Sequence, residues 1–590
     1  MVNGAVNGHV PDQGGGQQQQ RQAAIQEEPT TAPHIECADE IRVLTQVVII
    51  DQIDFAAESF RVHTDLIIAP IVPNLTADTV SELKNPAIGE FSSKVYETYT
   101  EKDYQLLIMV PDSLREFVGE QQSIKVSIDV MVVKPKHSIQ FSHATGMDGI
   151  TEKGAHLFTY RSSYMSGTRE WLPCRDSPDQ LSLWRLKITC DVSHTAVASA
   201  ELDVELSQEL DVKVYHFQQS IPTAACSIGF AVGQFVPIAH PEVSEVTSFA
   251  LPGLVSLVKH TTFPVGKIME YFEELLSCRF PYPSYKLAFV DKSPDEVTVY
   301  AGLTLFSVNV LYHKKIIDAV QESRQLLAFG VAQQFFGSFI TPSHWVDWWL
   351  VKSLARLITS FYIEKVFGTS EFLYQLKRTL QSVCDYEYQW GKASFCLYVV
   401  LRPRLTHSPR INLHFDPRNE RTCSPLYADA LAKKGHLVLR MLYKRLGHEL
   451  FFQVLQKILT VAQQMSGRRD KPVCWTHLVI STESFFRTLM TVSGQEMRTF
   501  QDYWIYEGGH VVIEVSFQFN RKRNIIELEA KQDIEQGNGR MRYLGPLTVV
   551  VQELDGSFSH TVQIDSDISR SELQCHSKGR RQKKAGLDLF

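Results

Sequence analysis

The histidines and carboxylates whose spacing could bind a metal are the first feature of this sequence. His448-Glu449 begins the pattern H-E-x-x-H, in which two histidines one helical turn apart bind zinc and the Glu activates a bound water. The second histidine position is Phe452, however, and the apolar residues around it have the spacing of a buried helix face. His344 also lacks a second histidine at ligand spacing. We therefore predict that both histidines are structural.

The cysteines give no metal motif either. None of the 10 cysteines forms C-x-x-C or lies at zinc-finger spacing from histidines. Unpaired cysteines in apolar segments are typical of a reducing compartment, the cytosol or nucleus. Residues 1–10 do not have the pattern of a signal peptide, and no uncharged apolar stretch is long enough to cross a bilayer, so we expect no membrane partner.

A basic cluster near the C-terminus is the strongest candidate for a nucleic-acid contact. The net charge of the whole chain is -7, which argues against a generally basic surface but not against a local patch. The cluster has the density of a nuclear import signal or a phosphate contact. A solvated linker would have the same charge pattern, so both interpretations stay open. Its members are Lys578, Arg580, Arg581, Lys583 and Lys584.

The elements that would position any site fall into several domains, because single hydrophobic cores stop growing near ~250–300 residues. Alternation at residues 124–130 and 196–206 predicts strands, and residues 265–276, 317–336 and 436–464 have helical periodicity. Asp555-Gly556 predicts a hairpin turn. We predict a multidomain α+β chain with these parts: a disordered Gly/Gln-rich tail (1–32), a large antiparallel β domain (33–253), a mainly helical domain (254–507), a small β-sandwich (508–570) and a disordered basic segment (571–590).

This order of domains, with several short motifs, resembles the gluzincin aminopeptidases. Residues 171–176 (W-L-P-C-R-D) resemble the family's F-P-C-x-D stretch, and residues 231–235 (A-V-G-Q-F) resemble its F-A-V-G-x-F strand. Residues 334–337 (Q-F-F-G) and 345–350 (W-V-D-W-W-L) are similar to the segments that follow the family's zinc motif. The resemblance covers roughly residues 43–568 and implies an aminopeptidase N-like fold with a thermolysin-like helical domain.

The residues that perform the family's chemistry are nevertheless replaced in this sequence. In the register set by the motifs, the two histidines, the general base, the amine-binding Glu and the Tyr are replaced by residues that do not supply their chemistry, and a lysine, whose ammonium would repel a dication, replaces the carboxylate ligand. We therefore predict no metal, no cofactor and no aminopeptidase activity. The replaced positions are Phe329 and Gln333 (the two histidines), Gly330 (the general base), Lys352 (the third ligand), Val299 (the Glu that holds the substrate amine) and Ala432 (the Tyr that stabilises the oxyanion).

A second set of segments resembles a non-catalytic family, the large TBP-associated factors that form the second subunit of the general transcription factor TFIID. These segments are residues 259–262 (K-H-T-T), 271–274 (Y-F-E-E), 278–282 (C-R-F-P-Y), 321–339 and 575–578 (C-H-S-K). The resemblance implies a nuclear scaffold that works with TBP and other TBP-associated factors at core-promoter DNA in transcription by RNA polymerase II. That family continues past the basic segment into helical repeats, whereas this chain ends at Phe590, as a fragment or a splice form would.

Two other functions compete with the scaffold. The old substrate groove could hold a peptide without cleaving it, although Val299 in place of the amine-binding Glu argues against recognition of free N-termini. An active metalloaminopeptidase would need metal ligands relocated from elsewhere in the chain. A cluster of metal ligands in the fold would support the active aminopeptidase. Binding of a protein tail in the groove would support the peptide-binding module.

Overall fold

The structure is a computed structural model that describes part of the chain. The described residues are 41–70, 123–143, 154–161, 167–207, 212–393, 395, 424–469, 471–507, 509–532, 541–553, 555–577 and 587–589. The chain divides into two units, residues 1–42 with 69–123, and residues 43–68 with 124–590. Nearly all of the first unit lies outside the described residues, as do the predicted N-terminal tail and the basic cluster at residues 578–584.

Two sheets form the N-terminal β region. One has six strands in the order β3-β2-β1-β6-β9-β8, and the other has four in the order β4-β5-β10-β7. Apolar side chains from both sheets, such as Ile188, Phe60 and Phe230, share one core. The strands are β1 Ile41–Asp54, β2 Ser59–Pro70, β3 Ile124–Val133, β4 Ile139–Ser142, β5 His156–Thr159, β6 Leu181–Asp191, β7 Thr195–Ala198, β8 Glu201–Ser207, β9 Val212–Ala224 and β10 Phe230–Gly233.

The central region combines a mixed sheet of five strands, in the order β11-β12-β13-β15-β14, with a group of helices. Its strands are β11 Val236–Ala239, β12 Val246–Ala250, β13 Tyr285–Val290, β14 Val297–Tyr300 and β15 Leu303–Ser307. Its helices are α1 Val255–Thr262, α2 Val265–Leu276, α3 Val320–Phe335, α4 Trp348–Phe367, α5 Thr369–Trp390, α6 Pro425–Leu446, α7 His448–Ser466, α8 Thr482–Ser493 and α9 Arg498–Gln501. Short strands β16 Thr341–Pro342 and β17 Val479–Ile480 pair in parallel.

A small two-sheet sandwich follows. Its three-stranded sheets have the orders β18-β19-β22 and β21-β20-β23, and side chains such as Leu528 and Val549 from opposite sheets share a core. Its strands are β18 Ile513–Asn520, β19 Ile525–Gln532, β20 Gly545–Glu553, β21 Gly556–Ile564, β22 Ile568–Gln574 and β23 Leu587–Leu589. The predicted hairpin turn at Asp555-Gly556 is confirmed, since β20 and β21 pair antiparallel across it.

Three local expectations differ from the structure. The single helix expected at residues 436–464 is two helices, α6 and α7, because Gly447 has a φ of 82° that interrupts helical backbone. The single strand expected at residues 196–206 is broken into β7 and β8, with Ala200 at a φ of 92°. The large β region is mainly antiparallel, but β1 pairs with β6 in parallel.

Candidate functional site

Helix α3 places three of the replaced positions on neighbouring turns. Gln333 and Gly330 are buried. Phe329 is only partly buried and packs against the core from its edge, so its side chain does not fill a cavity in the interior. Gly330 faces the sheet: a Cβ atom there would lie 3.1 Å from Cζ of Phe306 and 3.3 Å from Cγ2 of Thr304. A side chain at this position, where the resemblance places the general base of the peptidases, would therefore require Phe306 or Thr304 of β15 to move by a few tenths of an ångström.

Lys352 on the next helix, α4, is directed at the same point. Its ammonium donates a hydrogen bond to the side-chain oxygen of Gln333. Its Nζ lies 5.7 Å from the ring centre of Phe329 and 5.6 Å from that of Trp348. The guanidinium of Arg356, one turn further along α4, lies 5.4 Å from the Phe329 ring centre. The structure thus brings positions 329, 333 and 352 together, and the charge at their meeting point is positive.

The local field at this point is unfavourable for a second cation. Burial lowers the pKa of Lys352 well below its ordinary value, and the positive charges of Arg161 and Arg356 lower it further. The carboxylate of Asp295 acts in the opposite direction but does not compensate. Because like charges at short range repel strongly in a partly buried site, a divalent metal ion would be electrostatically disfavoured beside these three groups.

The remaining two replaced positions lie beside this point and contribute through their backbones. Val299 in β14 is buried, and its carbonyl accepts a hydrogen bond of 2.8 Å from Nη2 of Arg161. Ala432 in α6 is buried, and its carbonyl accepts a 3.2 Å hydrogen bond from the hydroxyl of Ser353, the neighbour of Lys352. Neither side chain can act as an acid, a base or a hydrogen-bond donor.

Sequence reasoning missed a buried ionic network next to the site. Lys434 Nζ lies 2.6 Å from Oε1 of Glu387, and Nδ1 of His510 lies 2.8 Å from Oε2 of the same carboxylate. The Glu387 side chain is fully buried. Burial acts to raise the pKa of Glu387, but Lys434 and His510 outweigh it, so the net pKa lies below its usual value. The resemblance to the aminopeptidases places a Y-x-K-G motif at residues 432–435, in which Lys434 and Gly435 are retained, and this pair was the available signal.

The retained glycine of that pair has a packing role. A Cβ atom at Gly435 would lie 2.8 Å from Cε3 of Trp349 and would also clash with the hydroxyl of Ser353. Helices α4 and α6 can therefore approach closely at this point only because residue 435 has no side chain. Gly435, three residues after the replaced position Ala432, therefore has a structural role.

The two histidines considered from the sequence are not joined into a ligand set. His448 is exposed, with its ring centre 4.6 Å from that of Phe452, and His344 is exposed beside Ser343. Within the described ranges, no three His, Cys, Asp or Glu side chains are grouped closely enough to hold a metal ion. None of the helices in the described part of the chain is long and apolar enough to span a bilayer. The basic cluster Lys578, Arg580, Arg581, Lys583 and Lys584 lies outside the described residues.

Two family models match the chain side by side. The Peptidase family M1 domain matches residues 264–504, which include the positions brought together by α3 and α4. The model described as the TAF2 Ig-like domain matches residues 508–588, the region of the small sandwich. Among solved structures, aminopeptidase A of Legionella pneumophila in complex with aspartic acid superposes with a TM-score of 0.64 at 15% identity, covering 93% of this chain and 58% of that one. This likeness establishes an aminopeptidase-like fold.

Several relatives at higher identity share one name. Transcription initiation factor TFIID subunit 2 of Caenorhabditis elegans is 41% identical over 95% of this chain and 54% of that protein. The protein of the same name from Danio rerio is 34% identical over 93% of this chain and 47% of its own length. The chain spans about half the length of these relatives. The chain is therefore homologous along nearly its whole length to TFIID subunit 2, and its adjoining regions match the Peptidase family M1 and TAF2 Ig-like models.

Proposed function

We propose that this chain is a non-catalytic subunit of TFIID that acts in the nucleus. In this role it is a scaffold that works with TBP and other TBP-associated factors, contributes to the recognition of core-promoter DNA, and helps to assemble the preinitiation complex for RNA polymerase II. The observation that carries the proposal is the 41% identity, over 95% of the chain, to a protein named as TFIID subunit 2.

The geometry of the former active site supports the non-catalytic part. A peptidase of this fold needs a metal-bound water and a carboxylate that takes its proton. Here the ligand position carries Lys352, whose ammonium is hydrogen-bonded to Gln333, and position 330 has no room for a Glu without movement of Phe306. An active metalloaminopeptidase, the least supported alternative, would need a ligand set elsewhere in the chain.

A tagged form of the whole chain, purified from nuclear extract, tests the proposal. Mass spectrometry should find TBP and other TBP-associated factors enriched over a tagged nuclear protein of similar size and charge. Size-exclusion chromatography of the same extract should place the chain in a large complex. A well-folded chain that enriches no TFIID component and elutes as a monomer would contradict the assignment to TFIID.

A further inference from the structure

Three basic side chains converge on two aromatic rings at the former metal position. We call Arg161, Phe329, Trp348, Lys352 and Arg356 the cationic–aromatic patch. The guanidinium of Arg161 lies 5.3 Å from the Trp348 ring centre, and the Lys352 ammonium lies 5.6 Å from the same ring centre. Lys352 and Arg356 share the Phe329 ring in the same way. Guanidinium and ammonium groups held against aromatic faces are pre-oriented for recognition of planar anions.

The patch has more hydrogen-bond donors than acceptors. Arg161 donates from Nη2 to two uncharged groups, the carbonyls of Cys226 and Val299, at 3.2 and 2.8 Å. The Nε atoms of Arg161 and Arg356 and the indole Nε1 of Trp348, a side chain that is 1% exposed, are buried without an acceptor among the residues that the structure describes. Buried donors are normally satisfied, so an excess of them indicates a site suited to an acceptor-rich group.

Within the described residues, the carboxylates near the patch do not balance its positive charge. Oδ1 of Asp429 lies 3.2 Å from Arg356, and Oδ2 of the same carboxylate lies 2.7 Å from Lys433. The one negative charge of Asp429 is therefore shared between two cations. Asp295 acts on Lys352 but is outweighed by Arg161 and Arg356. Relative to the peptidase pattern, carboxylates at positions 330, 352 and 299 are replaced by Gly, Lys and Val, so the electrostatic preference of the site is reversed.

We propose that the cationic–aromatic patch binds a carboxylate side chain of an acidic, aromatic-containing segment of a partner protein. A carboxylate supplies about four acceptor positions and pairs with Arg in a planar arrangement. The partly exposed Phe329 offers an apolar face for the neighbouring side chain of such a segment. The phosphates of duplex DNA are a poorer match, because Trp348 is only 1% exposed and a rigid duplex backbone reaches a buried donor less readily than a flexible peptide side chain does. The inference rests on the non-catalytic part of the proposed function and is independent of assembly into TFIID.

Fluorescence anisotropy on the full chain tests this inference. The probe is a short fluorescein-labelled peptide that alternates Asp and Phe, acetylated and amidated at its ends, and the comparison peptide has Lys in place of each Asp. The site variant is Lys352→Gln with Arg356→Gln. Its matched control is Lys377→Gln with Arg378→Gln, because Arg378 lies 5.9 Å from the ring centre of Tyr374 on an exposed face of α5. Both variants remove the same charge.

We expect the acidic probe to bind, the lysine peptide not to bind, and the site variant to weaken binding by about tenfold or more, as removal of charge-assisted hydrogen bonds does. The control variant should bind like the parent chain. Arg356→Gln alone, at a side chain that is 32% exposed, should fold normally and lose part of the affinity. Equal binding by site and control variants, or displacement of the probe by duplex DNA at lower concentration than by unlabelled peptide, would overturn the proposal.

Mass spectrometry of the recovered probe tests non-catalysis separately, since a cleaved probe would contradict the proposed function.

Discussion

At the scale of single residues, the side chain at position 352 decides the chemistry of the site. The Lys352 amine is hydrogen-bonded to Gln333 and lies close to the positive charges of Arg161 and Arg356, so this environment disfavours a bound cation. Reversal of the two histidine positions alone should therefore not recreate a metal site. For zinc binding, a carboxylate in place of Lys352 should therefore matter more than a histidine at position 329 or 333.

We predict that the chain as isolated contains well under one zinc per molecule, and that Phe329→His with Gln333→His does not change this. The double variant should also lose up to about 2 kcal/mol of unfolding free energy, because the partly buried Phe329 is replaced by a more polar ring. Elemental analysis and urea unfolding measure the two outcomes. Aminopeptidase activity on a fluorogenic substrate should stay at background.

The triple variant that also carries Lys352→Glu is the control for this prediction. It restores the composition of the ligand set and removes the repelling charge, so it should retain more zinc than the double variant. Stoichiometric zinc in the unaltered chain or in the double variant would show that Lys352 does not exclude the metal.

The sequence predicted part of this site and missed the rest for a physical reason. Positions 329, 333 and 352 could be located because they lie on two helices at spacings that local motifs preserve. Arg161 could not be connected to them, since it is 138 residues from its partner Val299 and reaches the site through tertiary packing. No local periodicity encodes that contact.

At the scale of elements, close approach of α4 and α6 depends on Gly435. Substitution with alanine should destabilise the chain by about 1–3 kcal/mol, because its methyl group would meet the Trp349 ring and the Ser353 hydroxyl in a packed core. Gly467→Ala is the matched control: nothing lies within 4 Å of a Cβ there, and its φ is -72°. That variant should be neutral or more stable by up to about 1 kcal/mol. Equal urea midpoints for the two variants would contradict this role for Gly435.

The ionic network of Glu387 connects α5, α6 and the segment that enters the sandwich. Glu387→Gln should destabilise the chain by about 3–5 kcal/mol, because the buried Lys434 ammonium would lose its counter-charge. Glu387→Gln combined with Lys434→Met removes both charges and should cost clearly less than the sum of the single changes. Urea unfolding followed by tryptophan fluorescence measures all three. Strict additivity would show that the two charges do not interact.

Because the pKa of Glu387 is lowered in the folded chain, the unfolding free energy should depend on pH in the acidic range. The folded pKa of Glu387 lies below its ordinary value of 4.5, so its contribution is complete above that value and is lost as pH falls through the folded pKa. Unfolding free energy should therefore fall more steeply below pH 4.5 in the parent chain than in Glu387→Gln. Parallel curves for the two proteins would place the acid sensitivity elsewhere.

Element boundaries were predictable where the pattern was strong and the backbone regular. The predicted helix at residues 265–276 and the predicted strand starting at Ile124 are confirmed as α2 and β3. The break between α6 and α7 was not predicted, because apolar periodicity continues through Gly447 and only the backbone angle at that glycine ends the helix. Strands β13 and β15 of the central sheet were not predicted, because they are short and fully buried and so do not alternate between apolar and polar residues.

At the scale of the whole molecule, net charge limits how the chain can meet DNA. A chain of net charge -7 is not attracted to phosphate as a body, so binding must depend on a local basic surface or on one completed by a partner subunit. The candidate within this chain is the basic cluster of residues 578–584. Contacts of this type are made to phosphates and carry little sequence information.

We predict that the isolated chain binds promoter duplex weakly, with a strong dependence on salt. Changing Arg580, Arg581, Lys583 and Lys584 to alanine should weaken binding and reduce the slope of log K against log salt by roughly 0.9 for each phosphate that these side chains neutralise. The matched control changes four exposed basic residues elsewhere to alanine: Lys444, Arg468, Arg469 and Lys471. Because both variants remove the same net charge, only a direct interaction of one cluster with the DNA backbone can separate their slopes. Tight, sequence-specific binding that is indifferent to salt, or equal effects of the two variants, would show that the DNA surface lies elsewhere on the chain.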